Sequence, residues 1–242
     1  MRKILFVGPS LPDASAMCGD AIEVLPPAAH GDVLAAVRAG ATVIGIIDGN
    51  FEHVAPVWHK EVLHALDVGV SVLGAASMGA LRAAECDAFG MIGIGRVYED
   101  YAAGRRLDDA DVALLHGPAE LGYPALSLPL VNVDATLDRL QMLDVVATSD
   151  ISRLRTVADA LFYKDRTWSA IVKAAFENDD RGHLLQLLHA TNVNQKREDA
   201  LLLVEAMRNF EPVSPAKQGN WTFRATTLWR TAADQPGKKQ NV

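Results

Sequence analysis

The chain has 242 residues, of which 50% are hydrophobic and 22% charged, a composition that excludes disordered and fibrous proteins. Its formal net charge of −7 argues against nucleic acid and membrane surfaces as partners, because an acidic protein repels phosphate groups. Cys18 and Cys86 form neither a disulfide framework nor a CxxC motif. The first apolar run is too short for a signal peptide, and charged residues interrupt every longer run, so we expect a cytoplasmic protein without a membrane span.

Three short apolar runs in the first third of the chain predict buried parallel strands, at Ile4 to Val7, Thr42 to Ile47 and Val70 to Leu73. Helices are predicted between them, at Val33 to Ala39 and Pro56 to Val68. The resulting β-α-β-α-β order predicts an α/β fold with a small parallel sheet flanked by helices. Ligands of such sheets bind at the carboxyl ends of the strands.

Helical patterns without strand signals dominate the second half of the chain. We therefore predict three regions: an α/β core over 1–125, an all-helical subdomain over 126–211, and a largely irregular tail over 212–242.

The segment VSVLGAASMGALRAAE predicts a buried strand, a tight turn at Ser77 and a helix that starts at once. A serine at such a turn presents its hydroxyl above the sheet, as in the nucleophile elbow G-x-S-x-G, here in the form A-A-S-M-G. The backbone N–H groups of Met78 and Gly79 would then face a developing oxyanion. The alternative interpretation is that Ser77 only caps the helix.

Other polar residues predicted near this edge of the sheet have two interpretations each. Asp48 and Gly49 end the second strand, and Ser10 follows the first, so all three are expected either to shape a pocket or to form ordinary turns. Arg82 is expected to orient an anionic substrate or to pair with Glu85, three residues on.

The second predicted crossover helix offers three further groups for proton transfer or binding: His59, Lys60 and His64. Periodicity does not choose among them. His59 and His64 are five residues apart and therefore on different helical faces, which disfavours a metal pair.

Neither a metal site nor a nucleotide cofactor is expected. The acidic group at Asp108, Asp109 and Asp111 is better interpreted as helix capping than as a cation site. Gly93 and Gly95 lack the third glycine of a dinucleotide fingerprint, and the chain has no phosphate-binding GxxxxGK[ST] motif.

Four segments of the first half resemble the TfuA-like family: LFVGPSL, GIIDGNFEHVAPVWHKEVLHAL, GVSVLGAASMGALRAAECDAFGMIGIG and DDADVALLHGP. The resemblance implies a partner of a YcaO enzyme in peptide backbone thioamidation, a post-translational modification of ribosomal peptides (RiPP biosynthesis). It further implies hydrolysis of the thiocarboxylate of a ThiS-like sulfur carrier through a serine-lysine pair. On this sequence that pair falls on Ser77 and Lys60.

The expected partners are thus a YcaO enzyme, a ThiS-like carrier protein and, through YcaO, a peptide substrate. Two alternatives remain open from the sequence. One is a non-catalytic adaptor that docks on YcaO, and the other is an unrelated serine esterase-like hydrolase, whose Ser-Asp-His order is not evident in the chain.

Overall fold

The computed structural model describes residues 1–50, 54–176, 182–211 and 221–234. At the centre of these residues lies a five-stranded parallel sheet, which confirms the predicted α/β class. Its strands are β1 (Lys3–Phe6), β2 (Glu23–Leu25), β3 (Val43–Ile46), β4 (Ser71–Ala75) and β5 (Ile92–Ile94), in the order β2-β1-β3-β4-β5.

Eleven α-helices occur in the described residues. Those of the first half are α1 (Ala14–Cys18), α2 (Asp32–Arg38), α3 (His59–Asp67), α4 (Met78–Cys86) and α5 (Arg96–Ala102). Those of the second half are α6 (Leu130–Met142), α7 (Thr148–Ala160), α8 (Trp168–Ala175), α9 (Gly182–Ala190), α10 (Gln195–Arg208) and α11 (Thr227–Asp234). No helix in the described part of the chain is both long and apolar enough to cross a lipid bilayer.

Alternating strand residues build a core on each face of the sheet. Ile4 and Phe6 of β1 point to the face covered by α2, α3 and α4. Leu5 and Val7 point to the opposite face, where α1 and α10 pack. Gly45 in β3 permits the close approach of α10, because a β-carbon there would lie 2.3 Å from the sulfur of Met207. The sheet is therefore buried on both sides.

The helical second half divides between two cores. Buried side chains of α6, α7, α8 and α9 form a cluster of their own, centred on Leu137, Leu154 and Leu188. Helix α10, which falls inside the predicted helical subdomain, instead returns to the sheet through Leu203 and Met207. The last helix of the predicted subdomain thus completes the α/β core.

The described part of the predicted irregular tail, residues 221–234, contains helix α11. Trp229 of α11 is buried, and its ring lies 5.2 Å from that of His64 on α3. Phe223 contacts both of these rings. An aromatic cluster therefore attaches this segment to α3, which local sequence patterns did not predict. Residues 212–220 and 235–242 lie outside the described residues.

The strand order predicts a crevice between β1 and β3. The chain leaves β1 toward β2 on one side, whereas β3 pairs with β1 on the other side. Loops that diverge in this way open a crevice at the carboxyl ends of the strands. Asp48 follows β3 and Ser77 follows β4, so both lie at this edge.

Candidate functional site

The turn that carries Ser77 is sharper than an ordinary strand-to-helix connection. Ala76, between β4 and Ser77, has a φ of 67°, and the Ser77 N–H donates to the carbonyl of Ala75 at 2.7 Å. A left-handed conformation costs a non-glycine residue about 1–2 kcal/mol, so the packing of β4 and α4 must hold it in place. The turn places Ser77 at the end of the strand, immediately before α4.

The hydroxyl of Ser77 does not cap α4. Ser77 occupies the N-cap position, but its side chain makes no capping hydrogen bond, and Oγ has no hydrogen-bond partner among the described residues. The residue is 8% exposed and lines a cavity of about 290 Å³. The hydroxyl is therefore available to a ligand in the cavity, and the capping interpretation does not account for it.

This cavity brings together residues from distant parts of the chain. Ser77 and Met78 line it from the turn after β4, and Asp48 and Gly49 line it from the end of β3. Lys196, from the first turn of α10, also lines the cavity. The volume accommodates an extended chain terminus or a small ligand rather than a folded domain.

Of the two predicted oxyanion donors, only one is unoccupied. The N–H of Met78 makes no hydrogen bond with any described residue. The N–H of Gly79 is already used, because it donates to the carbonyl of Ile47 at 3.1 Å. The predicted role of Gly79 as an oxyanion donor is thus wrong. Gly79 serves close packing instead, since a β-carbon there would lie 1.8 Å from the carbonyl oxygen of Ile46.

Asp48 organises the loop after β1. Its Oδ2 accepts from the backbone N–H groups of Gly8 and Ser10, each at 2.9 Å, and its Oδ1 accepts from the Ser10 hydroxyl at 2.6 Å. Both residues are 2% exposed. Ser10 is therefore a partner of Asp48, and its hydroxyl does not line the cavity.

Lys196 is the buried cation of the cavity. The residue is 2% exposed, Nζ donates to the carbonyl of Val112 at 2.8 Å, and Nζ lies 3.9 Å from Oδ1 of Asp48. Burial lowers the pKa of Lys196 to about 8, against the opposing effect of the Asp48 carboxylate. The Lys196 N–H donates to Oδ1 of Asn132 on α6, which fixes the start of α10.

The sequence carried no local sign of this role. The surrounding letters, NQKRED, are hydrophilic and typical of an exposed first helical turn. Yet Gln195, Lys196 and Asp199 are all buried. Only the return of α10 to the sheet turns these polar groups inward.

Lys60 does not reach Ser77. Its Nζ donates to the carbonyl of Arg224 at 2.6 Å and lies 4.8 Å from the ring centroid of Phe223. Lys60 does not line the cavity of Ser77, and no hydrogen bond joins the two residues in the described structure. The expected Ser77–Lys60 pair is therefore not formed in the described structure, because the Lys60 side chain extends toward Phe223 and Arg224.

Arg82 and His59 also lie away from the cavity. Arg82 donates from Nη1 to Oε2 of Glu85 at 2.6 Å and from Nε to the carbonyl of Val57 at 3.0 Å. The Nε2 atom of His59 lies 2.7 Å from the same Glu85 oxygen. Of the two interpretations of Arg82, the structure agrees with the second, in which Arg82 pairs with Glu85 on the same helix.

His116 lines the cavity, although the sequence did not single it out. Its Nδ1 lies 2.8 Å from the carbonyl of Gly117, which makes Nδ1 the protonated nitrogen. A serine esterase of the triad type needs a histidine that is hydrogen-bonded both to the serine and to a carboxylate. No histidine among the described residues makes such a hydrogen bond to Ser77, so the structure does not favour the esterase alternative.

The acidic group after α5 does cap a short helical turn. Oδ1 of Asp108 accepts from the N–H of Ala110 at 2.9 Å. Among the described residues, no cluster of three or more metal-ligating side chains occurs.

Comparison with known proteins identifies a family that matches part of the chain. The model of a family described as TfuA-like protein matches residues 48–167, a range that begins at Asp48 and includes Ser77. Lys196 lies beyond this range. No curated protein matches the chain.

Proposed function

Because this chain belongs to the TfuA-like family, whose members are associated with YcaO enzymes, we propose that it is an accessory hydrolase of peptide backbone thioamidation. Its substrate is the thiocarboxylated C terminus of a ThiS-like carrier protein, and the released sulfide serves a partner YcaO enzyme. The protein also promotes engagement of the peptide substrate by YcaO. The Ser77 hydroxyl, unpartnered among the described residues and facing the cavity, carries the proposal.

In the proposed reaction, Oγ of Ser77 attacks the thiocarboxylate carbon. A C–O bond forms, the C–S bond breaks, and sulfide leaves with the proton that came from the Ser77 hydroxyl. Water then attacks the acyl-serine ester, so the carrier departs with a C-terminal carboxylate and Ser77 regains its proton.

The start of α4 supports the charge that develops on the substrate oxygen. The Met78 N–H has no partner in the described structure, and it follows the nucleophile directly, as in the oxyanion hole of the nucleophile elbow. The aligned peptide dipoles of α4 add positive potential at the same point. Loss of one oxyanion donor typically lowers the rate by about 10²–10³.

Sulfide release from a thiocarboxylated carrier by the purified protein, without YcaO, tests the proposal. We expect release by the wild-type protein and a loss of at least about 10³-fold in Ser77→Ala. Ser149→Ala, an exposed serine on α7, is the matched control and should match the wild type. If the wild-type protein releases sulfide no faster than the spontaneous background, the hydrolase function is excluded and the adaptor function is the remaining candidate.

A non-catalytic adaptor that docks on YcaO is the second candidate, and exposed leucines favour it. Leu107, Leu121 and Leu126 are 90%, 72% and 57% exposed within one segment that borders the cavity. If these side chains form one patch on the surface, they would suit a protein contact.

Free sulfide distinguishes the two roles in a reconstituted thioamidation reaction. If hydrolysis is the contribution of the protein, added sulfide restores the reaction of Ser77→Ala. If docking is the contribution, Leu121→Asp lowers the reaction even with sulfide, whereas Ser77→Ala is fully active without it.

A further inference from the structure

We propose that Lys196, rather than Lys60, is the base that takes the proton from Ser77, an inference that rests on the hydrolase function proposed above. The two side chains belong to one cavity of about 290 Å³ although they are 119 positions apart in the chain. Ser77 comes from the turn after β4, and Lys196 comes from the first turn of α10, which packs across β3 and β4. The fold itself thus brings an amine to the nucleophile.

The surroundings of Lys196 raise the fraction of its neutral form above that of an ordinary lysine. Nζ is buried and has one close acceptor, the carbonyl of Val112. Asp48 is 3.9 Å away, and its two carboxylate oxygens already accept three hydrogen bonds from Gly8 and Ser10. The cation is therefore only partly compensated, and removal from water disfavours charge.

This environment supplies a usable base near neutral pH. With a pKa of about 8, roughly a tenth of the Lys196 amines are neutral at pH 7. An ordinary lysine with a pKa of ~10.4 would be neutral in fewer than about one molecule in a thousand. Other titratable residues also line the cavity and face the same space: Asp48, Asp109, His116, Tyr163 and Lys164.

Proton transfer requires a shorter approach than the structure has. No direct hydrogen bond joins Oγ of Ser77 and Nζ of Lys196. The proton is therefore transferred through one bridging water, or directly once the two side chains have moved closer around the bound substrate. The neutral amine accepts the Ser77 proton as the C–O bond forms and delivers it to the departing sulfide. It then takes a proton from the attacking water and returns it to Oγ.

A different role for Lys196 predicts the opposite pH dependence. If its charged form only binds the anionic thiocarboxylate, turnover falls as pH rises through about 8. If its neutral form is the base, turnover rises through the same range. The direction of the pH profile therefore decides between base and binding group.

The experiment uses the full chain and measures two rates between pH 6 and pH 10. One is the rate of sulfide release from the carrier, and the other is the rate of covalent labelling of Ser77 by a fluorophosphonate. The label reports nucleophilicity without any carrier, since Oγ displaces fluoride from phosphorus. The variants are Lys196→Met, Lys196→Arg and Lys60→Met. Lys173→Met, at an exposed position of α8, is the matched control.

We expect both rates of the wild type to rise with an apparent pKa near 8 and both to fall by at least about 10² in Lys196→Met and Lys196→Arg. Thermal melting verifies that these variants fold. Lys60→Met should behave like Lys173→Met. Full labelling in folded Lys196→Met, loss in Lys60→Met alone, or a falling pH profile would each overturn the inference. If labelling of Ser77 depends on Lys196 but the wild type releases no sulfide, the carrier is not the substrate. The inference that Lys196 is the base of Ser77 would then still hold, and the proposed function would fail.

Discussion

The Nζ atom of Lys196 lies 3.9 Å from Oδ1 of Asp48, and both side chains are only 3% exposed. This separation is longer than a charge-assisted hydrogen bond, so the pair does not form a tight ion pair. Asp48 is held by the loop after β1, and Lys196 is held by the carbonyl of Val112. The buried amine thus carries a cost of desolvation that Asp48 does not fully offset.

That cost predicts how stability depends on pH. The pKa of Lys196 is about 8 in the folded chain, against an ordinary value of 10.5, so the unfolded state binds more protons between these two values. The free energy of unfolding of the wild type should therefore rise by about 3 kcal/mol from pH 8 to pH 10.5, relative to Lys196→Met. Urea unfolding of both proteins at several pH values measures this difference in free energy. The contributions of the other titratable groups cancel, because both proteins contain them. A difference that stays constant with pH would contradict the buried position of the amine.

Removal of the Asp48 carboxylate should destabilise the loop after β1. Asp48→Ala leaves three buried donors of Gly8 and Ser10 without their acceptor, and we expect a loss of about 3–5 kcal/mol in the free energy of unfolding. Ser10→Ala removes only one of these bonds and should cost about 1–2 kcal/mol. Equal losses in the two variants, measured by urea unfolding, would refute the central position of Asp48.

Gly79 fixes the distance between α4 and β3. In Gly79→Ala the new methyl group would meet the carbonyl of Ile46 at 1.8 Å, so α4 must move and Ser77 must move with it. We expect a melting temperature lower by at least about 5 °C and a loss of fluorophosphonate labelling. Ser149→Ala, at an exposed position of α7, is the control, because it changes a side chain that faces solvent and leaves the packing of α4 intact. A Gly79→Ala protein as stable and as reactive as that control would contradict the close packing.

The aromatic contact between α11 and α3 should contribute to stability. Trp229→Ala removes a side chain that is 6% exposed and packs against His64, and a loss of about 3–5 kcal/mol is expected. Leu228→Ala on the same helix is the matched control, since Leu228 is 66% exposed and should change the free energy by less than about 0.5 kcal/mol. Indistinguishable unfolding curves for the two variants would show that α11 does not dock on α3 in solution.

The features that depend on neighbouring residues could be predicted from the sequence. Apolar runs located β1, β3 and β4 to within about two residues, because a buried strand and its flanking turns are encoded locally. The small residues around Ser77 likewise indicated a strand, a turn and a helix. Strands β2 and β5 were not predicted. Each has only three residues, all exposed or partly exposed at an edge of the sheet, so neither shows a recognisable run of apolar residues.

The features that depend on long-range packing could not be predicted. Lys196 lies in a hydrophilic stretch, and its burial follows only from the contact of α10 with the sheet. Lys60 matches a motif of the resembling segments, yet its side chain extends toward Phe223 and Arg224, whose position no local pattern reveals. The Gly79 N–H is lost to Ile47 because the helix start packs directly on β3. In each case, the partner is distant in sequence.

Detection of an acyl group on Ser77 tests the central claim most directly. The wild-type protein is mixed with thiocarboxylated carrier, quenched in acid within the first turnover and digested, and the peptide that contains Ser77 is examined by mass spectrometry. We predict a mass increase that corresponds to the carrier's C-terminal acyl group in ester linkage to Ser77, which is absent in Ser77→Ala. Release of sulfide at the wild-type rate by Ser77→Ala, with no acylated peptide in the wild type, would contradict the account.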